Sequence, residues 1–418
     1  MIGCVYLVAH WHLVYQIFMV FARVFRILAV LALTILFDRA AIADAAVTDV
    51  RFGKHVDMTR FVLDLSESVK WRILMLPDPY RIVVDFPRLD WRSQTRQGAK
   101  GKGVIKRFRF GNFSSDRSRL VLDLVGPVDV HRNFILPPQG RHPYRFVIDL
   151  KASNRGAFLD RARSLRPNRK QAAVAVPGQR LPVPRERNRP WTIVIDPGHG
   201  GVDPGTIGRS GVYEKEIVLA FGKELRNALL KEPGYRVVMT RESDIFVRLH
   251  RRVEVARRVD ADLFLSIHAD AIRERGIRGA TVYTLSEKSS DSEAEQLANK
   301  ENKSDIIAGV DLGDQTGDIA EILIDLAQRD TLTWSRQFAA ALIPELSRRV
   351  RLRSKPHRFA GFRVLKAPDV PSVLIELGYL SNRDDEKMLL TASGRAQVIK
   401  AIRSATNKYF KKRRFSAK

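Results

Sequence analysis

Two histidines and two glutamates, each set in a short island of sequence, could do hydrolytic chemistry in this chain. The islands are Asp196-Pro-Gly-His-Gly-Gly201, Glu214, Ser266-Ile-His-Ala-Asp270 and Ile375-Glu-Leu-Gly-Tyr-Leu-Ser381. A catalytic zinc ion takes three protein ligands and keeps a fourth position open. His199, Glu214 and His268 supply a two-histidine, one-carboxylate set, which leaves Glu376 to serve as base. Singly, each residue has a plainer explanation. Glu214 opens a helical pattern, where a carboxylate offsets the helix dipole. His268 could be a hydrogen-bonded core histidine. Glu376 is harder to explain away, because it interrupts the apolar run 373–377 and an unpaired buried carboxylate is costly. A metal site accounts for all four together, and the Gly-rich turn around His199 lets the backbone bend to aim the imidazole.

The elements that must position these groups follow from periodicity. Residues 192–196, 235–240, 263–267, 281–285 and 372–377 are short apolar runs that predict buried strands. Residues 214–231 place Ile217, Phe221, Leu225 and Ala228 or Leu229 on one helical face, and residues 249–259 and 332–346 predict further helices. This alternation predicts an α/β domain, an open mixed sheet flanked by helices. Ligands of such sheets gather at the carboxyl ends of strands, where His199, His268 and Glu376 fall.

Residues 47–150 read differently. Val50-Arg-Phe-Gly53 and Thr59-Arg-Phe-Val-Leu-Asp-Leu65 recur as Phe108-Arg-Phe-Gly111 and Ser118-Arg-Leu-Val-Leu-Asp-Leu124. Tyr80-Arg-Ile-Val-Val-Asp-Phe86 recurs as Tyr144-Arg-Phe-Val-Ile-Asp-Leu150. Two similar all-β halves predict a small sandwich-like domain of two packed sheets, read here as a binding module. Residues 151–189 lose periodicity and carry Pro167, Pro177, Pro182 and Pro184 among many basic residues, which predicts a flexible basic linker.

The chain has 418 residues, 45% of them apolar, and a formal net charge of +26. That charge favours a polyanionic partner such as nucleic acid, anionic lipid or an acidic wall polymer. No nucleic-acid-binding signature accompanies it, so a nucleic-acid partner is not expected. The single cysteine, Cys4, excludes a disulfide framework and leaves nitrogen and oxygen as metal ligands. Arg23 and Arg26 precede the apolar run 27–37, and Ala41-Ile-Ala43 and Ala43-Asp-Ala45 fit a signal cleavage site. Residues 1–45 are therefore expected to be an export signal, with translation starting at Met1 or Met19; an uncleaved anchor is the alternative.

Asp196-Pro-Gly-His-Gly-Gly201, Tyr213-Glu-Lys215, residues 261–270 and Val373-Leu-Ile-Glu-Leu-Gly-Tyr-Leu-Ser-Asn382 together resemble the zinc-dependent N-acetylmuramoyl-L-alanine amidases of the amidase 3 family. The duplicated β region resembles the AMIN domain that often precedes them. The resemblance implies an export signal (1–45), an AMIN-like peptidoglycan-binding domain (46–151), a linker (152–189) and a catalytic domain (190–418). It implies hydrolysis of the amide between N-acetylmuramic acid and L-alanine, with one Zn2+ on His199, Glu214 and His268 and Glu376 as general base. Arg241 and Asp244 also match family positions and are read as structural or rim residues. Periplasmic action at the division septum by a monomer is expected. Residues 287–330 form an insertion, acidic at first, with an amphipathic helix predicted over 318–328. In division amidases this insertion carries an inhibitory helix whose glutamate fills the open zinc position. Among Glu293, Glu295 and Glu301, Glu301 fits that role best, with Glu295 as fallback, and the implied activator is a LytM-type protein with a degenerate peptidase domain. Two competing readings are a zinc peptidase, disfavoured by the lack of His-Glu-x-x-His, and a non-catalytic wall-binding protein.

Overall fold

The computed structural model describes residues 44–54, 57–92, 99–165, 189–272, 274, 276–310 and 325–416. The expected export signal, most of the linker and most of the 318–328 helix lie outside these residues. Among the described residues, no helix is long and apolar enough to cross a membrane.

The N-terminal β region builds two sheets from nine strands: β1 (Ala45–Lys54), β2 (Thr59–Leu65), β3 (Arg72–Leu76), β4 (Arg81–Pro87), β5 (Leu89–Trp91), β6 (Ile105–Asn112), β7 (Arg117–Leu124), β8 (Val128–Leu136) and β9 (Tyr144–Ala152). One sheet has the order β5-β1-β2-β9-β8, the other β3-β4-β7-β6. Alternate residues of both sheets, Phe61, Leu63, Ile82, Val84, Leu120, Leu122, Phe146 and Ile148 among them, turn inward to a common core. The two sequence repeats are not the two sheets. Each sheet joins strands of both repeats: β2 lies beside β9, and β7 beside β4. The exchange places equivalent ion pairs at equivalent registers, Arg60 opposite Asp149 and Arg119 opposite Asp85.

A helix follows where the sequence reads as linker. It is α1 (Arg155–Ser164), capped by the Asn154 side chain accepting from Ala157 N, and it buries Phe158 and Ala162. Two buried positions among arginines give almost no helical periodicity, which hides the element from a pattern reading.

The C-terminal α/β region is centred on a six-stranded sheet. Its strands are β10 (Trp191–Pro197), β11 (Tyr235–Met239), β12 (Leu263–His268), β13 (Ala280–Leu285), β14 (Leu352–Ala360) and β15 (Ser372–Glu376). The order is β11-β10-β12-β15-β13-β14. β11, β10, β12 and β15 run parallel, and β13 is antiparallel to β15, so the sheet is mixed as expected. Helices α2 (Glu214–Leu229), α3 (Leu249–Arg258), α4 (Ser292–Glu301), α5 (Ser304–Ile307), α6 (Asp325–Ser347), α7 (Arg383–Leu390) and α8 (Ala392–Ser416) complete it. α2, α6 and α8 cover one face through Phe221, Leu225, Phe338, Leu342 and Ile402. α3 and α4 cover the other through Ala256 and Leu297. The expected helix over 332–346 begins earlier, at Asp325, so residues 325–328 of the predicted 318–328 helix belong to it. Both sides of β10, β12 and β15 are buried, which explains their continuous apolar runs.

Leu265, fully buried in the middle of β12, sets a test of this core. Leu265→Ala should cost about 2–5 kcal/mol of unfolding free energy, read as a lower urea midpoint. An unchanged midpoint would show that β12 is not a core strand.

Candidate active site

The site forms where β10 and β12 diverge in connectivity, β10 leading to β11 on one side and β12 to β13 on the other. His268 ends β12 and stands in register with Glu376, which ends β15. His199 follows β10 in a turn where its own φ is +57°. A Cβ on Gly198 would lie 2.4 Å from His268 Cε1, so the absence of a side chain at 198 is what lets the two histidines meet. Their ring centroids are 4.9 Å apart.

Buried arginines hold this turn. Arg252 donates to Asp196 Oδ1 (2.8 Å), Pro197 O (2.8 Å) and His199 O (2.7 Å). Arg241 donates to Pro197 O (3.0 Å), Gly198 O (2.8 Å) and Lys215 O (2.9 Å). Burial pushes the Arg241 guanidinium down to about 10, still charged at neutral pH. Asp244 accepts from Gly201 N (2.7 Å) and Lys215 Nζ (2.6 Å). Arg241 and Asp244 thus bind backbone and Lys215, away from the imidazole nitrogens.

The remaining groups converge on one point. His199 Nδ1 lies 3.0 Å from Asp203 Oδ2, which assigns the ring proton to Nδ1 and frees Nε2. His199 Nε2 is 3.2 Å from Glu214 Oε2 and 3.4 Å from Glu301 Oε2. His268 Nδ1 is 3.3 Å from Glu214 Oε1 and 3.3 Å from Glu301 Oε2. Neither His199 Nε2 nor His268 Nδ1 has a hydrogen-bond partner. Glu214 is oriented by backbone donors, Thr206 N on Oε2 and Ala269 N on Oε1, both at 2.9 Å. Glu376 Oε2 accepts from Asp270 N (3.0 Å), and its Oε1 is buried without a partner.

This donor set fits a metal ion. Orphaned nitrogens and carboxylate oxygens 3.2–3.4 Å apart match the edge of a tetrahedron around an ion bonded at about 2.0–2.1 Å. The tightest grouping is His199, His268 and Glu301, while Glu214 presents one oxygen to each imidazole. The electrostatics agree. Burial alone would lower the His199 pKa, yet Glu214, Asp203 and Glu301 hold it well above the ordinary value. Burial would raise Glu214, yet the imidazoles hold it well below. Burial raises Glu301. Glu376 is pushed well above the carboxylate range by burial, then by Asp270 and Glu214.

The structure brings His199, Glu214, His268, Glu376 and Glu301 into one place. It leaves Glu295 exposed and commits Glu293 to Arg353 and Arg358. Glu301 enters from the last residue of α4, which Asp291 caps by accepting from Ala294 N. With Glu301, Asn302 and Ser304 over the histidines, the cavity left is about 10 Å³, against roughly 300–1,000 Å³ for a ligand pocket. Asp203, Arg252, Asp270, Thr206 and Lys300 escaped the sequence reading. Lys300 Nζ donates to Thr206 Oγ1 (2.8 Å) and to Asp270. Two of the five left a signal: Asp203 is four residues from His199, and Arg252 shares the buried face of α3 with Leu249 and Ala256.

The family model for N-acetylmuramoyl-L-alanine amidase matches residues 193–408, and that for the AMIN domain matches residues 49–150. The N-acetylmuramoyl-L-alanine amidase AmiC of Escherichia coli O6:H1 is 34% identical over 380 residues, covering 88% of this chain and 90% of that protein. AmiC of Neisseria meningitidis serogroup B is 36% identical over 376 residues, covering 87% and 89%. AmiA of Escherichia coli K12 is 37% identical over 234 residues, covering 56% and 81%.

Asp203→Asn keeps the shape but removes the charge that orients His199. Competition with a chelator should show divalent-ion affinity reduced about 10–100-fold. Unchanged affinity would remove Asp203 from the support of the site.

Proposed function

The chain belongs to the N-acetylmuramoyl-L-alanine amidase family and hydrolyses the amide joining N-acetylmuramic acid to L-alanine in peptidoglycan, and we propose that it does so with one zinc ion held by His199, Glu214 and His268. The observation that carries this reading is the pair of orphaned imidazole nitrogens facing Glu214, with the free Glu376 Oε1 in the same buried site.

Bound there, zinc would polarise the amide carbonyl and lower the pKa of a water to about 7. The protein's own residues do the rest. Asp203 fixes the tautomer of His199, and Thr206 N and Ala269 N fix the Glu214 carboxylate. Asp270 N anchors one oxygen of Glu376 and leaves the other to accept the proton of the attacking water. The same oxygen returns a proton to the departing L-alanine amine. The raised pKa of Glu376 suits it to hold that proton between the two steps, and a cation nearby would lower it.

Glu301 is the resting-state block. Its Oε2 faces both imidazoles at the position a substrate carbonyl or water would need. Activity then requires α4 to leave, and a LytM-type activator with a degenerate peptidase domain is the partner that would displace it. The export signal expected in residues 1–45 supports a periplasmic location. The AMIN domain and the AmiC relatives support a role in septal wall splitting, and the enzyme is proposed to act as a monomer.

Two variants test the assignment on the full chain with isolated sacculi and mass spectrometry of the products. Glu376→Gln should lower the release of intact stem peptides bearing a free L-alanine amine by about 10²–10⁴-fold while keeping its zinc. Zinc loss in that variant would recast Glu376 as a ligand. Glu301→Ala should raise the basal rate, and an unchanged rate would sink the inhibitory role.

A further inference from the structure

The segment that carries Glu301 does not rest on the α/β region alone. Glu301 ends α4, and the chain continues through the short helix α5 to Val310. On one side this stretch is held by the α/β region: Ser304 Oγ donates to Asp203 Oδ2 (2.5 Å), and Asp305 Oδ1 accepts from Leu249 N (3.1 Å). On the other side it lies against the outer face of β4 and β7. Arg119 Nη1 donates to Gly309 O (2.9 Å) and Ala308 O (3.2 Å), and Arg81 Nη1 donates to Ile306 O. These carbonyls lie at or just past the C-terminal end of α5, where acceptors favour cations. Apolar contact continues the seam: Val83, Val121 and Leu76 of the β domain cluster with Ala308 and Val310, and with Val202 and Phe246.

We propose that the AMIN domain is the brake of this enzyme: the β4–β7 face grips residues 306–310 and so keeps Glu301 over the zinc-binding histidines. The proposal rests on the inhibitory reading of Glu301 and adds what holds it in place.

The duplication inside the β domain supplies an internal comparison. Arg119 and Arg60 occupy equivalent positions and make the same two-pronged pair, with Asp85 and Asp149 respectively. The Arg60 side chain is 31% exposed; that of Arg119 is 6% exposed, with its guanidinium 3.5 Å above the Phe113 ring and bonded to the segment. Arg81 is buried, whereas its equivalent Arg145 is only half-buried. One face of a two-faced module has thus been taken up by the inhibitory segment. The fit is close. Gly309 has φ +68°, and a Cβ there would lie 2.8 Å from Val83 Cγ2, so both the turn and the approach require glycine.

A segment held from both sides opens only when one grip is released. Removing the β-domain grip therefore shifts the equilibrium toward the open site, and a ligand that occupies the β4–β7 face shifts it the same way.

The test uses the full chain in four single variants and one double, with hydrogen–deuterium exchange over residues 292–310 and stem-peptide release from sacculi as readouts. Arg119→Ala removes the grip from the β side. Gly309→Val disrupts it from the segment side and leaves the Arg119–Asp85 pair intact, which guards against a misfolded β domain. Both should speed exchange in 292–310 and raise basal release about tenfold, equivalent to about 1.4 kcal/mol. Arg60→Ala breaks the equivalent ion pair without touching the segment and should change neither. Glu301→Ala should raise release, with Arg119→Ala adding nothing further. If Glu301→Ala activates but Arg119→Ala and Gly309→Val behave like Arg60→Ala, the brake is wrong and the inhibitory helix stands. If Glu301→Ala does not activate, the inhibitory reading falls and the brake with it. The exchange data then still show whether the β face holds the segment.

Discussion

Burying Glu214, Glu301 and Glu376 together around two imidazoles is the constraint on which the rest of the molecule turns. Each carboxylate is excluded from water, and like charges in low dielectric repel strongly. Burial opposes a charged His199, yet Glu214, Asp203 and Glu301 raise its pKa, and burial raises those of Glu301 and Glu376. Metal ligands bind deprotonated, so metal binding and proton release are linked here. A site with this charge pattern cannot be left to loops that relax. Arg252 and Arg241 therefore bind the backbone of the His199 turn directly, and Asp196, held ionised beside Arg252 despite complete burial, completes the frame.

That frame explains why the motif islands are long. Asp196 does no chemistry, yet it joins Arg252, Thr240 and Ser266 from three different elements. Thr206 and Ala269 offer only backbone N–H groups to Glu214, and Asp270 offers its N–H to Glu376. The parallel register of β12 and β15 sets the histidine and the base side by side. Chemistry is concentrated in four side chains, and their positions are distributed over most of the sheet.

What was legible in the sequence follows from this division. Strands buried on both faces read as continuous apolar runs, so the core of the α/β sheet could be found from β10, β12 and β15. The ligand-type residues stood out because a histidine in a glycine turn and a glutamate inside an apolar run contradict their surroundings. Asp203 and Arg252 were harder, because a carboxylate that orients a ring and an arginine that binds carbonyls act only through tertiary partners. Helix α1 was missed because just Phe158 and Ala162 are buried in it. The repeats of the β domain were visible, but the exchange of strands between them was not, since β2 pairs with β9 across most of the domain. Nothing local in Arg81 or Arg119 announces a partner more than 180 residues away.

The proposed inhibited state also has an internal tension. Burial raises the Glu301 pKa, while His199, His268 and Lys300 oppose that shift. Helix α4 offsets part of the cost of that burial through the Asp291 cap and through Leu297 and Ala298 in the core. These contacts belong to a ten-residue helix, which has little stability of its own. On the inhibitory reading, a locally weak block needs a second support if it is to stay shut. The carbonyls of Ile306, Ala308 and Gly309 provide one, because they face two guanidiniums on a rigid sheet. The same arrangement makes release cooperative. Once the β4–β7 face lets go, only the contacts of α4 and the bonds of Ser304 and Asp305 hold the segment.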